Sequence, residues 1–321
     1  MLQPKPAPSI DQIVADIRRS RDRLAQIVEP LRTVVKTLDE SSKEPKLSAK
    51  HWVAAAHTDA VVRVRLLTEQ NFIVIETLGV LATARYLFEL VVWLKLMNWD
   101  ERYGLVYYYE LCRKMLRHHE DLRNHLLREI SFLRELAAEE DRRTRDRLDR
   151  KDFGTVAKVQ PLIQDLQEIM DSVDDRLDRS FTLYGDDART RGYGYQAFLV
   201  ESQALPTAEE AVATLREEFH LFETLPRDIR DLFPKGREEW RWREKATLVD
   251  MQHEYDFIYT FASRLLHETP ASLSTDQKNL EQAEMKVFLQ YCRVRIHDII
   301  EMATKILRKY PQPSSDQPLV S

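Results

Sequence analysis

The sequence predicts an all-α protein: a helical bundle around one buried central helix, with a long helical insertion. Three observations lead there. Only 7 glycines occur in 321 residues, and Leu, Arg, Glu and Ala crowd the chain, a composition that favours long helices over sheets. Apolar residues recur at three- and four-residue spacing through most of the length. Residues 72–97, FIVIETLGVLATARYLFELVVWLKLM, form the most apolar run, and a helix apolar nearly all round must be enclosed.

Taken in order, residues 1–9 are Pro-rich and read as a loose N-terminus. Ser9 with Gln12 forms a capping box ahead of the rhythm Ile10, Ile13, Val14, Ile17, Leu24, Ile27, Val28 and Leu31, so a first helix reaches about Leu38. DESSKEPKL is a linker. Ser48 caps a second helix through Trp52, Ala55, Val62 and Leu66, and Asn71 marks a break before the central helix, expected over 72–98. Asn98-Trp99-Asp100 ends that helix, with Gly104 in the turn. The next helix runs to about Arg150 and is increasingly charged. Between Arg134 and Asp152 seven basic residues face seven acidic ones, the pattern of a solvated helix laced with i,i+4 pairs.

Gly154 to Pro161 is expected to break this helix, and 162–177 to form another. Residues 184–206, with three of the seven glycines, read as a non-helical excursion with a short extended piece at 195–200. Thr207 opens a helix to Leu225. Pro226 and Pro234 punctuate a loop before a helix from about Arg237, which Pro270 ends. Ser274 begins the last helix, reaching Lys309, and 311–321 is a disordered tail. One domain over 10–310 is expected, its framework at 48–98 and 246–308 and a helical excursion over 100–240.

Composition excludes some functions. Hydrophobic content of 43% with 31% charge marks a folded, soluble chain, and a net charge of −5 gives no whole-chain signature of nucleic-acid binding. The two cysteines, Cys112 and Cys292, lie in helical patterns without a CxxC partner and read as core residues. The first residues lack an apolar signal core, and the central run carries charges at its middle, so a cytoplasmic location is expected. Walker, GxGxxG, HExxH and GxSxG motifs do not occur. Glu217-x-x-His220 and Asp250-x-x-His253 echo di-metal spacing but lack the partner carboxylates, so neither a metal nor a cofactor is expected.

Chemistry concentrates in two places. On the central helix Arg85 and Glu89 are four apart and can pair. Late in the chain Tyr255, Tyr259, Ser263 and His267 step by four, a polar ladder flanked by Phe257, Ile258, Phe261, Leu265 and Leu266. If these helices pack, Arg85 and Glu89 would answer the ladder. The set then serves either as a register-fixing polar network or as an acid–base site, with Ser263 and His267 as nucleophile and base. The second place is Arg113 with His118 and His119, where an Arg could stabilise a phosphate and a His activate a 2′-hydroxyl. The stretch ARTRGYGYQ, with Arg189, Arg191, Tyr193 and Tyr195, reads as a surface loop that could also grip phosphates and stack bases. The stretch REEWRWREK could pair protomers or pack at home.

ATARYLFEL (82–90) and YTFASRLLH (259–267) together resemble an uncharacterised, mainly bacterial helical family with an Arg–Glu helix and a Tyr…Ser…His helix. The resemblance covers 48–98 and 248–308, implies that Arg85, Glu89, Tyr259, Ser263 and His267 form one site, and carries no activity with it. A slighter resemblance, through Arg113-x4-His118 and Arg113-x5-His119, is to the HEPN class of helical nucleases, which implies metal-independent RNA cleavage. Lys114 departs from the small polar residue usual after that Arg. The expectation is an interaction or sensory module, with a protein partner or a homodimer, in bacterial stress response or phage defence. The alternative is an endoribonuclease acting on RNA.

Overall fold

The computed structural model describes residues 7–149, 159–233, 240–266 and 280–310. Among them every regular element is a helix, in line with the all-α expectation. The chain divides into two compact units, one of Met1–Glu110 with Phe222–Ser321, the other of Leu111–Leu221.

In the first unit, α1 (Ile10–Ser41) starts with the expected capping box: Ser9 Oγ accepts from Gln12 N–H, and the Gln12 side chain accepts from Ser9 N–H. The Ser48 hydroxyl caps α2 (Ala49–Gln70) by accepting from His51 N–H. The central helix α3 spans Thr77–Trp99, so it does not begin at Phe72. Three consecutive β-branched residues, Ile73, Val74 and Ile75, weaken helix there, and Ile73 and Val74 are exposed. Phe72 is itself buried, and its carbonyl accepts from Arg18 of α1. α3 packs against α2, against the last helix α13 (Gln282–Lys309), and against the segment after residue 241. It is the one described helix long and apolar enough to cross a membrane, but most of it is enclosed by protein.

α4 (Tyr103–Asp149) starts in the first unit and contributes most of its length to the second. Gly104 lies in its first turn and not in a preceding loop. A Cβ on Gly104 would sit 2.5 Å from the Ala49 carbonyl oxygen, so α2 and α4 approach where only glycine fits. Within the second unit come α5 (Val159–Asp178), α6 (Gly185–Arg191), α7 (Tyr193–Leu199) and α8 (Leu205–Glu223). Pro161 is therefore inside the first turn of α5, where a missing N–H costs nothing. The expected non-helical excursion over 184–206, with its extended piece at 195–200, is instead helical. Of its glycines, Gly185 and Gly194 lie within helices, and only Gly192, at φ 91°, turns the chain.

Back in the first unit, α9 (Arg227–Arg230) precedes α10 (Trp242–Leu248), α11 (Gln252–Glu254), a π-helical turn Tyr255–Tyr259 and α12 (Thr260–Leu266). The single helix expected from about 237 is broken at Asp250, which adopts φ 54°. Met251 N–H reaches back 2.8 Å to the Ala246 carbonyl, the six-residue closure of a left-handed helix end, with Asp in the place glycine favours. The starts of the helices expected at Arg237 and Ser274, the stop at Pro270, His267, and the tail 311–321 lie outside the described residues.

His57 on α2 is fully buried. Its Nδ1–H donates to the Val53 carbonyl at 2.7 Å, which leaves Nε2 to accept from the Asn98 amide at 3.4 Å. Burial, opposed by the Val53 bond, pushes its pKa down to about 4 from 6.5. The unfolded chain therefore binds a proton that the folded chain refuses, so this contribution is complete above pH 6.5 and is lost as pH falls towards 4. Between pH 7 and 4, wild type should lose roughly 3 kcal/mol more stability than His57→Leu in urea titrations. Gly104→Ala should lower stability by about 1–3 kcal/mol, although alanine is the better helix former, because the Ala49 carbonyl cannot yield.

Candidate functional site

The π-helical turn fixes the geometry of the late polar ladder. Thr260 N–H reaches the Tyr255 carbonyl five residues back, so this turn is wider than an α-turn. In the wider turn Tyr255 and Tyr259 lie nearly one above the other, stacked at 5.0 Å and 19°. Phe88 of α3 packs against both rings and against Trp242. Arg85 and Glu89, about one turn apart on the same helix, meet the Tyr259 edge of this cluster.

There Arg85 Nε donates to Glu89 Oε1 at 3.1 Å, and Arg85 Nη2 donates to the Tyr259 hydroxyl at 3.1 Å. The guanidinium carbon stands 4.5 Å from the Tyr259 ring centre, close enough for cation–π attraction. Arg85 and Glu89 side chains keep 25% and 28% exposure, so the pair sits at the margin of the core rather than in its interior. Leu78 and Ala82, on the same face, are exposed. Burial raises the Tyr259 pKa, the Arg85 charge lowers it and the Glu89 charge raises it, with a net upward shift that keeps the phenol neutral. The Ser263 hydroxyl donates to the Tyr259 carbonyl at 2.6 Å. Arg85, Glu89 and Tyr259 are thus brought together, Ser263 sits one turn beyond with its proton committed to its own helix, and His267 is outside the described residues.

The strip continues in residues that sequence reasoning missed. Burial raises the pKa of Tyr86, beside Arg63, Asp59 and Glu89, and of Tyr107, beside Asp59 and Arg63. Asp59 and Arg63 are four apart on α2, a spacing that could have flagged them. Lys245 was missed too. It is 3% exposed, with Nζ 4.5 Å from the ring centres of Trp93 and Trp242 and 5.2 Å from that of Trp240. The aromatic part of REEWRWREK thus faces the core, where three indole faces meet one cation.

Arg113, His118 and His119 lie on α4 in the second unit. Five and six residues are about 500° and 600° of helix, so Arg113 is about 140° and 120° round the axis from the two histidines. His118 is exposed and meets the half-buried His119 ring edge-on at 5.4 Å. His119 lines a cavity with residues of α6 to α8. The ARTRGYGYQ segment is not a loop. Arg189 is engaged by Asp174, Asp178 and Asp186, Arg191 pairs with Asp187 at 3.4 Å, and the Tyr193 hydroxyl is bonded to Asp174. Tyr195 is exposed beside Phe198. Its charges are spent within the unit. Among the described residues no three His, Cys, Asp or Glu side chains converge as metal ligands, Glu217, His220, Asp250 and His253 included. Cys112 and Cys292 are both buried, and burial pushes the Cys292 thiol up to about 12.

In comparisons with known proteins, no family model, curated protein or solved structure matches the chain. The site therefore has to be read from its own chemistry. Tyr259→Phe, which keeps the ring and loses the hydroxyl, should cost about 1 kcal/mol, and Tyr259→Leu more. A double-mutant cycle of Tyr259→Phe with Arg85→Ala, read by urea unfolding, should give a coupling of about 0.5–1.5 kcal/mol.

Proposed function

We propose that the protein is a cytoplasmic interaction or sensory module of the mainly bacterial helical kind that ATARYLFEL and YTFASRLLH resemble, serving stress response or phage defence. Its polar site works as a lock, and its output passes to a protein partner or a second copy of the chain. One observation carries this reading: the described polar groups of the site are taken up by one another. Arg85 is held by Glu89 and by both the edge and the face of Tyr259, and the Ser263 hydroxyl is bonded to the Tyr259 carbonyl. Such a network fixes how α3 meets the π-helical turn, and a segment held by few polar bonds at the margin of a core is suited to switching.

The test separates a lock from a catalytic centre. Arg85→Ala should lower the melting temperature by about 3–6 °C, because a partly buried carboxylate and phenol lose their cation. Purified protein incubated with total RNA and tRNA in EDTA should leave both intact. An unchanged melt for Arg85→Ala and His267→Ala would defeat the lock. Cleavage lost in His118→Ala/His119→Ala or in His267→Ala, with the fold retained, would put the HEPN-like endoribonuclease in its place.

A further inference from the structure

In the first unit α1 and α13 pack side by side, and their apolar faces join the core through Ile13, Ile17 and Leu24 on one and Cys292, Ile296 and Ile299 on the other. On the solvent side of that contact lies a groove of about 570 Å³, within the range of small-molecule sites. One strip of α1, made of Asp16, Arg19, Ser20 and Arg23, forms one wall, and Arg293 and His297 stand opposite on α13. Val294 is the one apolar residue of the lining.

Cations outnumber the acids that answer them here. Asp16 serves two arginines at once, Arg19 on its own helix and Arg293 across the groove at 2.9 Å. Its bonds to Arg19 and then Arg293 hold its carboxyl below the usual carboxylate range, against burial, so it stays charged. The other acid of the lining, Asp298, stands 3.1 Å from Arg295. Arg23 has no carboxylate partner among the described residues. Its Nη1 donates to His297 Nδ1 at 3.2 Å, and a ring nitrogen that accepts belongs to an uncharged imidazole. Three and four residues either side of Arg23 stand Ser20, Arg19, Gln26 and Ile27, so α1 offers it no acid either. His297 is half exposed, and its Nε2 lies 4.0 Å from Glu301.

We infer that this groove binds the phosphate group of a small phosphorylated molecule, gripped by Arg23 from α1 and Arg293 from α13. A guanidinium carries five N–H donors, so Arg293 keeps donors in reserve beyond its bond to Asp16. Arg23 gives up only a neutral acceptor when it turns to an anion. A phosphate monoester brings three acceptor oxygens and close to two negative charges, and its geometry matches the planar fork of arginine. The basic strip spans two turns of α1 in a chain of net charge −5, which suits a single phosphate and not the track of a nucleic-acid backbone. The inference rests on none of the residues of the Arg85 lock, so either can fail alone.

The experiment is a calorimetric titration of the full chain, at constant ionic strength, with inorganic phosphate, ribose 5-phosphate and glycerol 3-phosphate. Ribose and glycerol serve as uncharged controls, and phosphatidylcholine vesicles carrying phosphatidic acid present the same group on a membrane. At least one soluble phosphate should bind wild type saturably, and ribose and glycerol should not. Arg23→Gln should melt with wild type, since its lost partner is an exposed neutral ring, and should bind that phosphate about tenfold more weakly. Asp16→Asn, which frees Arg19 and Arg293 from a competing carboxylate, should bind it more tightly. Arg21→Gln removes the same charge from α1 outside the groove, where Arg21 pairs with Asp22, and should bind as wild type does. Saturable binding of no soluble phosphate would overturn the inference, as would binding confined to the vesicles. Equal affinity in wild type and Arg23→Gln would overturn it too, and so would an equal loss in Arg21→Gln, because attraction would then come from the general field of the helix.

Discussion

Enclosure of α3 is the constraint on which the first unit depends. Thirteen of the 23 residues of this helix are buried, on more than one side, so one neighbouring helix cannot cover it. The cover comes from α2 before it and from α10, α12, the π-helical turn and α13 after it, with α1 closing over α2 and α13. The unit must therefore recruit both ends of the chain, and residues 111–221 leave and return between them. At roughly 25 cal/mol per Å² of apolar surface removed from water, this burial is the main favourable term opposing the entropy of joining such distant segments.

A core assembled this way handles its polar groups one by one, each by a different means. His57 is held neutral by burial, and its Nδ1–H is satisfied by a backbone carbonyl. Lys245 keeps its buried position among three indole faces. In the second unit the Glu129 carboxylate is satisfied by two backbone N–H groups. Arg85 stays partly wet, which limits the cost of stranding it and makes its lock weaker than a fully buried pair would be.

Both units contain a π-helical turn, each with its own physical basis. In the first unit it aligns Tyr255 with Tyr259 so that one ring supports the other against Phe88 and Arg85. In the second it spans Val200–Ala204, where the missing N–H and the ring of Pro206 open the turn. Neither was legible in the sequence. An i,i+4 ladder such as Tyr255–Tyr259–Ser263 looks the same in an α- or a π-turn, and Pro206 reads as readily as the end of a loop.

What the sequence determined alone was local. Ser9 and Gln12 specify a capping box through short-range bonds, Asn71 ends α2 and Asp100 ends the central helix, and the apolarity of that helix requires enclosure. The Arg85–Glu89 pairing follows from helical spacing. Tertiary structure decided what spacing cannot: that Tyr259 would be the residue to meet Arg85, that three tryptophans would gather round Lys245, and that Gly104 would be pressed against Ala49. It also decided that the glycines of 184–206 would sit in helices, since packing of α6 and α7 in the second unit outweighs their weak intrinsic preference. The division has a physical reason. Caps, turns and helical faces are set by neighbours within four or five residues, whereas a shared cation, a close approach or a cavity belongs to segments the chain brings together only on folding.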